Sequence, residues 1–254
     1  MLAYSVTGDA PGTPLLIVHG LYGSGRNWGV IAKRLSDTRR VITVDMRNHG
    51  HSFWSDDHSY ADLATDLAEV IDHLGAPMDV VGHSMGGKAA MTLALTRPDT
   101  LHRLVIGDIA PVGYSHSQMQ FITAMRAVDL STVTRRSEAN AQLAALGVED
   151  AICSFLTQSL DVTEKRWRFN LDALAQNMEK ILDFPSFSTH HTGPTLFLSG
   201  GTSEYVTPAY RDTIRALFPA ARFAKIPGAG HWLHADNPRA FEGTVRAYLD
   251  APTP

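Results

Sequence analysis

The 254-residue sequence has one cysteine, no cluster of basic residues, no long apolar run, and no repeated or low-complexity segment. A single thiol, Cys153, excludes an intrachain disulfide and any multi-thiolate metal site. Its neighbours Ala151, Ile152, Phe155 and Leu156 are apolar, which predicts an inert, buried helical cysteine. No apolar stretch approaches the ~18 residues that a membrane span needs. The opening residues Met1-Leu2-Ala3-Tyr4-Ser5 lack the basic-then-apolar pattern of a secretory leader, so a cytoplasmic protein without stable membrane association is expected. With 22 Lys plus Arg against 26 Asp plus Glu, net charge is -4, and nothing supports a nucleic-acid partner. What is present is apolar: 44% hydrophobic against 19% charged residues excludes intrinsic disorder. The length allows one large or two small domains, in a monomer or homodimer.

Short Val/Ile/Leu-rich runs recur at residues 15–19, 41–45, 78–82, 104–109, 195–199 and 222–226. Most are apolar throughout, as suits strands covered on both faces of a parallel sheet. Between them, residues 27–35, 60–74, 86–96, 208–217 and 238–249 carry apolar residues at helical spacing, and Asn237-Pro238 reads as an N-cap followed by a first-turn proline. Strand alternating with helix predicts a doubly wound α/β sheet, mostly parallel, with helices on both faces. The alternation fails between Ile109 and Pro194, where about eighty residues show no convincing strand; a structureless loop of that length is improbable in a compact domain. Helices are predicted at 117–130, 138–146, 149–160 and 171–182. The expected organisation is a core of residues 1–111 and 192–254, with a helical cap, 112–191, inserted after the strand ending near Ile109.

Gly82-His83-Ser84-Met85-Gly86 fits G-x-S-x-G, with an apolar strand leading in and a helical pattern following at once. The chain must turn sharply there, exposing the Ser84 hydroxyl at the sheet edge while glycines avoid collision and the helix N-terminus favours negative charge. Serine needs a base held by a third group. Among 12 histidines, His231 is selected by position: it follows the last strand, in the turn after Pro227-Gly228-Ala229-Gly230. His83 and His234 read as structural neighbours, and His190-His191 as a solvated loop, since no carboxylate or thiolate cluster accompanies it. His19-Gly20-Leu21-Tyr22-Gly23 follows the first strong strand, where the backbone N–H groups of Leu21 and Met85 can face a carbonyl oxygen attacked by Ser84.

At these residues the sequence resembles the α/β-hydrolase family over nearly its whole length. The shared phrases are His19-Gly20, GHSMGG from Gly82, and GAGHW from Gly228; DMRNHG from Asp45, DIAPV from Asp108 and WRFN from Trp167 are similar to the subgroup of bacterial YbfF-type esterases and their ABHD-type relatives. The resemblance implies an open sheet with a helical cap and hydrolysis of a small-molecule acyl ester or thioester, without metal or organic cofactor. Carboxylic esters of short to medium acyl chains rank above acyl-CoA thioesters, because no residue clearly reads a CoA phosphate. Two alternatives stand beside this reading: a cofactor-free haloperoxidase or perhydrolase with the same Ser–His pair, and a non-catalytic ligand receptor on the same fold. Apolar candidates for the acyl pocket are Met119, Phe121, Met125, Phe155, Trp167 and Phe169.

The acid that orients His231 departs from the commonest family pattern. Where G-x-x-D-x-x-V-P would place an aspartate, Gly200-Gly201-Thr202-Ser203-Glu204-Tyr205-Val206 has Ser203. A hydroxyl cannot stabilise imidazolium as a carboxylate does. Asp108 ends the strand beside the serine turn and is the expected acid, with Ser203 in support; the subgroup resemblance implies the same pairing. Glu204, one residue off register, is the rival.

Overall fold

The computed structural model describes residues 1–75 and 77–252; residues 76, 253 and 254, which fall within the expected core segments, lie outside the described residues. Six strands form the central sheet: β1 (Tyr4–Val18), β2 (Arg39–Val44), β3 (Met78–His83), β4 (Leu101–Gly107), and then, after a two-residue pair β5 (Leu160–Asp161) and β6 (Arg166–Trp167), β7 (Thr195–Gly200) and β8 (Ala221–Ile226). The sheet order is β2-β1-β3-β4-β7-β8.

The apolar runs are continuous because both faces of the sheet are covered. Leu16, Val18, Ile42, Val44 and Val80 face one cluster, which also receives the helices Tyr60–Leu74 and Met85–Thr96. Leu15, Ile17, Val41, Val81 and Val105 face the other, beneath Gly29–Leu35 and Pro238–Leu249. Asn237 does cap the last helix: its side chain accepts from the Ala240 N–H at 3.2 Å.

β1 is longer than the predicted run. Residues Tyr4 to Thr7 pair with Val44 to Val41, whereas Leu15 to Val18 pair with Val41 to Val44, so the segment bends around β2 and flanks both its edges. The bend uses Gly8, at φ +75°, where an added Cβ would lie 2.7 Å from the Ser36 backbone oxygen.

Between β4 and β7 lie the helices Met119–Ala127, Arg136–Ala145, Asp150–Thr157, Leu171–Gln176 and Met178–Leu182. Two expectations are corrected here. The segment does contain strands, since β5 and β6 pair antiparallel with Leu160 opposite Trp167. The helix predicted over 171–182 is broken at Asn177, whose side chain donates to the Asp56 carbonyl at 2.7 Å and the Ala173 carbonyl at 2.9 Å. Ile122, Met125, Cys153, Leu156, Trp167, Phe169 and Ile181 from this segment share one cluster with Met85 and Ile109, so it has no separate core. Cys153 is buried, as expected. His190 is exposed, but His191 is not the solvated residue expected: it is buried, its ring 6.1 Å from Phe218. Among the described residues, no helix is long and apolar enough to cross a membrane.

Phe241, buried on the last helix, contacts the rings of Trp28 and His234 at 5.7 and 6.1 Å. Truncation to alanine there is expected to cost about 3–5 kcal/mol in urea unfolding; a loss below about 1 kcal/mol would show that this cluster does not anchor the C-terminal helix.

Candidate active site

β3 ends at His83, and the helix Met85–Thr96 starts at once, leaving Ser84 alone to make the turn. Ser84 has φ 53° and ψ -121°, a conformation that side chains rarely adopt. The motif's glycines allow it. A Cβ on Gly82 would meet the Gly86 carbonyl oxygen at 2.4 Å, and one on Gly86 would meet the His19 and Val18 carbonyl oxygens at 2.4 and 2.5 Å. Gly20 approaches from the other side, where a Cβ would lie 3.1 Å from that of Ser84. The loop after β1 is thus pressed backbone to backbone against the serine turn, and Leu21 and Met85 both line the cavity at Ser84.

The Ser84 hydroxyl lies 3.0 Å from His231 Nε2, and His231 Nδ1 lies 2.8 Å from an Asp108 carboxylate oxygen. The carboxylate accepts the Nδ1 proton, which leaves Nε2 as acceptor for the serine hydroxyl. Asp108 is 0% exposed and sits just past β4 at φ 50°, so the expected strand end at Ile109 is instead a turn that swings this side chain toward His231. Its other oxygen accepts from the Gly200 N–H at 2.9 Å, and the Ser203 hydroxyl donates to the oxygen that also faces His231. Ser203 therefore touches the carboxylate and not the imidazole. Glu204 is exposed and points to no member of this group.

Several contacts were absent from the sequence reading. Tyr205 stacks on the His231 ring, centroids 4.0 Å apart and planes within 23°. His83 donates from Nε2 to the His231 carbonyl at 2.7 Å, and His234 stacks on Trp28 at 3.9 Å, so both are structural neighbours of the site. The DMRNHG segment supports the loop after β1. His49 accepts the Tyr22 N–H through Nε2 and donates from Nδ1 to the Arg47 carbonyl, while His19 accepts the Met46 N–H. WRFN closes onto the same segment: Asn170 N–H donates to the Asn48 carbonyl at 3.0 Å, and Gly50 N–H to the Arg168 carbonyl at 2.8 Å. The only sequence signal for these roles was the phrases themselves.

The cavity over Ser84 measures about 260 Å³. Phe121 and Phe155 line it, but Met119, Met125, Trp167 and Phe169 do not. Met125 and Trp167 are tied to each other, the indole donating to the Met125 carbonyl at 2.9 Å, and Phe169 is buried against Tyr22 and His49. Met119 packs on the edge of the apolar cluster. Tyr60, Lys88, Tyr114, Ile152, Ile181 and Trp232 are also part of its wall.

Burial holds the histidines on both sides of the serine turn neutral. It pushes His58 and His234 down to about 3, and His49 and His83 well below their ordinary value. A folded-state pKa below the unfolded one means that the unfolded chain binds more protons as pH falls. The stabilisation is full above about 6.5 and is lost progressively from there toward pH 3. His58 and His234 should each cost on the order of 2 kcal/mol between pH 6.5 and 5. Urea unfolding at the two pH values checks this, and equal stability at both would contradict it.

Comparison with known proteins identifies the family. The sequence profile described as alpha/beta hydrolase fold matches residues 13–238. The chain is 44% identical over 260 residues to the sn-1-specific diacylglycerol lipase ABHD11 of Mus musculus, covering 98% of this chain and 85% of that protein. It is 38% identical over 240 residues to the Esterase YbfF of Escherichia coli (strain K12), covering 94% and 93%. Among solved structures, a marine microorganism esterase superposes with a TM-score of 0.92 at 36% identity, over 97% of this chain and 98% of that one. With its glycine-flanked serine turn between β3 and the following helix, the chain belongs to the α/β-hydrolase family.

Proposed function

We propose that the protein is a serine hydrolase of carboxylic esters with short to medium acyl chains, extending to acyl-CoA thioesters, in which Ser84, His231 and Asp108 carry the reaction. The observation that supports this most is the continuous relay from the Ser84 hydroxyl through His231 to the buried Asp108 carboxylate, at 3.0 and 2.8 Å, opening on a largely apolar cavity. The names of the relatives, an esterase and a lipase, agree with it.

His231 Nε2 takes the Ser84 proton as the oxygen attacks the acyl carbonyl. The negative charge that develops on the carbonyl oxygen faces the backbone N–H groups of Leu21 and Met85, each such donor being worth ~3 kcal/mol in the transition state. Asp108 stabilises the imidazolium, which then protonates the departing alcohol or thiol as the tetrahedral species collapses to an acyl-enzyme on Ser84. Water, deprotonated by the same imidazole, attacks the acyl carbonyl, and Ser84 leaves with its proton restored. Ser203 holds Asp108 in place. Residues 112–191 act as a cap: Phe121, Ile152, Phe155 and Ile181 bring apolar surface over the serine. A cavity of about 260 Å³ lies just below the usual range of ligand pockets, roughly 300–1,000 Å³, and fits a short acyl group.

Ser84→Ala should abolish turnover of p-nitrophenyl butyrate. Asp108→Asn should lower kcat roughly 10³–10⁴-fold with little change in KM, because the amide favours the wrong imidazole tautomer. Ser203→Ala should cost about tenfold or less, as one of the donors to Asp108 is lost. Glu204→Gln should leave kcat unchanged. Loss of turnover in Glu204→Gln with retention in Asp108→Asn would reverse the assignment. Across p-nitrophenyl esters of rising chain length, kcat/KM should peak between acetyl and octanoyl; a rate still rising to palmitoyl would contradict the size of the pocket.

A further inference from the structure

Lys88 lies in the first turn of the helix that begins just after Ser84, its backbone N–H donating to the Ser84 carbonyl at 3.0 Å, and is 1% exposed. Its ammonium donates to the main-chain carbonyls of Leu182 and Asp183, both at 2.7 Å. The rings of Tyr114 and Tyr60 flank it, with centroids 4.9 and 5.7 Å away. An ammonium has three donors, so one remains beyond these two carbonyls. A neutral donor would serve the carbonyls equally well; the charge itself has no carboxylate in contact, only the more distant Asp183. Among the described residues, no carboxylate oxygen lies within 4.0 Å of Lys88 Nζ, and the Asp183 side chain is on an exposed residue. The cavity wall that Lys88 shares with Ser84 contains no aspartate or glutamate at all. Its other titratable members are His19, His83, His116, His231, His234 and the tyrosines Tyr22, Tyr60, Tyr114 and Tyr205, none of which is anionic at neutral pH.

A buried cation without a counter-ion is costly, and an anion supplied by the substrate removes that cost. Burial pushes the Lys88 pKa down to about 7, with only the charge of Asp183 opposing it. We infer that Lys88 is a specificity-determining residue that receives the distal carboxylate of the acyl group, so that the favoured substrates are monoesters of short dicarboxylic acids. Ser84 and Lys88 line the same cavity of about 260 Å³, which suits a carboxylate a few methylenes from the scissile carbonyl. The inference rests on the esterase reading and narrows its acyl class.

The test compares monoethyl glutarate and monoethyl adipate with their neutral ω-amides, ethyl glutaramate and ethyl adipamate. In the wild type, kcat/KM should favour the carboxylates by about tenfold or more, chiefly through KM, as expected for one charge-assisted contact. Lys88→Gln keeps donors for the two carbonyls and removes the charge, and it should abolish the preference. Lys88→Arg should keep part of it. A wild-type enzyme that turns over acid and amide equally, or prefers the amide, overturns the inference without any variant. So does a Lys88→Gln enzyme that retains the wild-type ratio. Should Lys88→Gln not fold, a crystal structure of Ser84→Ala with monoethyl adipate decides: a carboxylate within hydrogen-bond distance of Lys88 Nζ supports the assignment, and one placed elsewhere overturns it. Failure to hydrolyse any ester, ethyl butyrate included, would strike the esterase reading itself, whereas hydrolysis of neutral esters without a carboxylate preference strikes only the role of Lys88.

Discussion

The close approach of three backbone segments at Ser84 is the constraint on which the rest of the site depends. β3 turns directly into a helix through one residue at positive φ, and the first turn of that helix rests on the carbonyl oxygens of Val18 and His19. Side chains at Gly82 or Gly86 would meet backbone that cannot yield. That contact fixes the distance between the loop after β1 and the serine, and hence which backbone N–H groups can face a reacting carbonyl. The strain at Ser84 is opposed by burial on both faces of the sheet and by the long apolar helix that follows, whose residues from Met85 to Leu95 are all buried.

A second backbone device places Asp108, the proposed acid. Asp108 leaves β4 at φ 50°, fully buried, with its carboxylate held by the Gly200 N–H at the end of β7 and by the Ser203 hydroxyl from the loop that follows. Neighbouring parallel strands thus deliver acid and support to one point, and His231 arrives from the turn after β8. Its ring is enclosed by Tyr205 on one face and His83 nearby. His83 beside it and His49 under the loop after β1 are buried and neutral, and they serve as donor and acceptor for backbone groups.

The order of strands and helices was legible because strands buried on both faces leave unbroken apolar runs and the helices leave a one-sided stripe. The nucleophile turn was legible for a different reason, since its glycines answer to contacts that only backbone can make. The outer arm of β1 escaped because its residues are half exposed and polar, and its bend at Gly8 depends on Ser36, a distant contact. The break at Asn177 depends in the same way on Asp56. Pocket lining was only partly legible: an apolar helix residue can face the core or the cavity, and Met125 and Phe169 turned inward while Phe121 and Phe155 did not. The stacking of Tyr205 on His231 leaves no signal in its segment, where an aromatic residue in a turn has many packing partners open to it. Lys88 stood in plain view within GHSMGGKA, but nothing local distinguishes a buried lysine from a solvated one.

The central claim of the proposal is that Ser84, alone among the serines, is made nucleophilic by His231, which Asp108 holds in turn. Intact-protein mass spectrometry after brief exposure to a fluorophosphonate tests this directly, because the reagent traps an activated serine irrespective of the natural substrate. The account predicts a single adduct, mapped by peptide analysis to Ser84, forming rapidly in the wild type and far more slowly in Asp108→Asn. No adduct, an adduct on another serine, or equal labelling rates in the two proteins would contradict it.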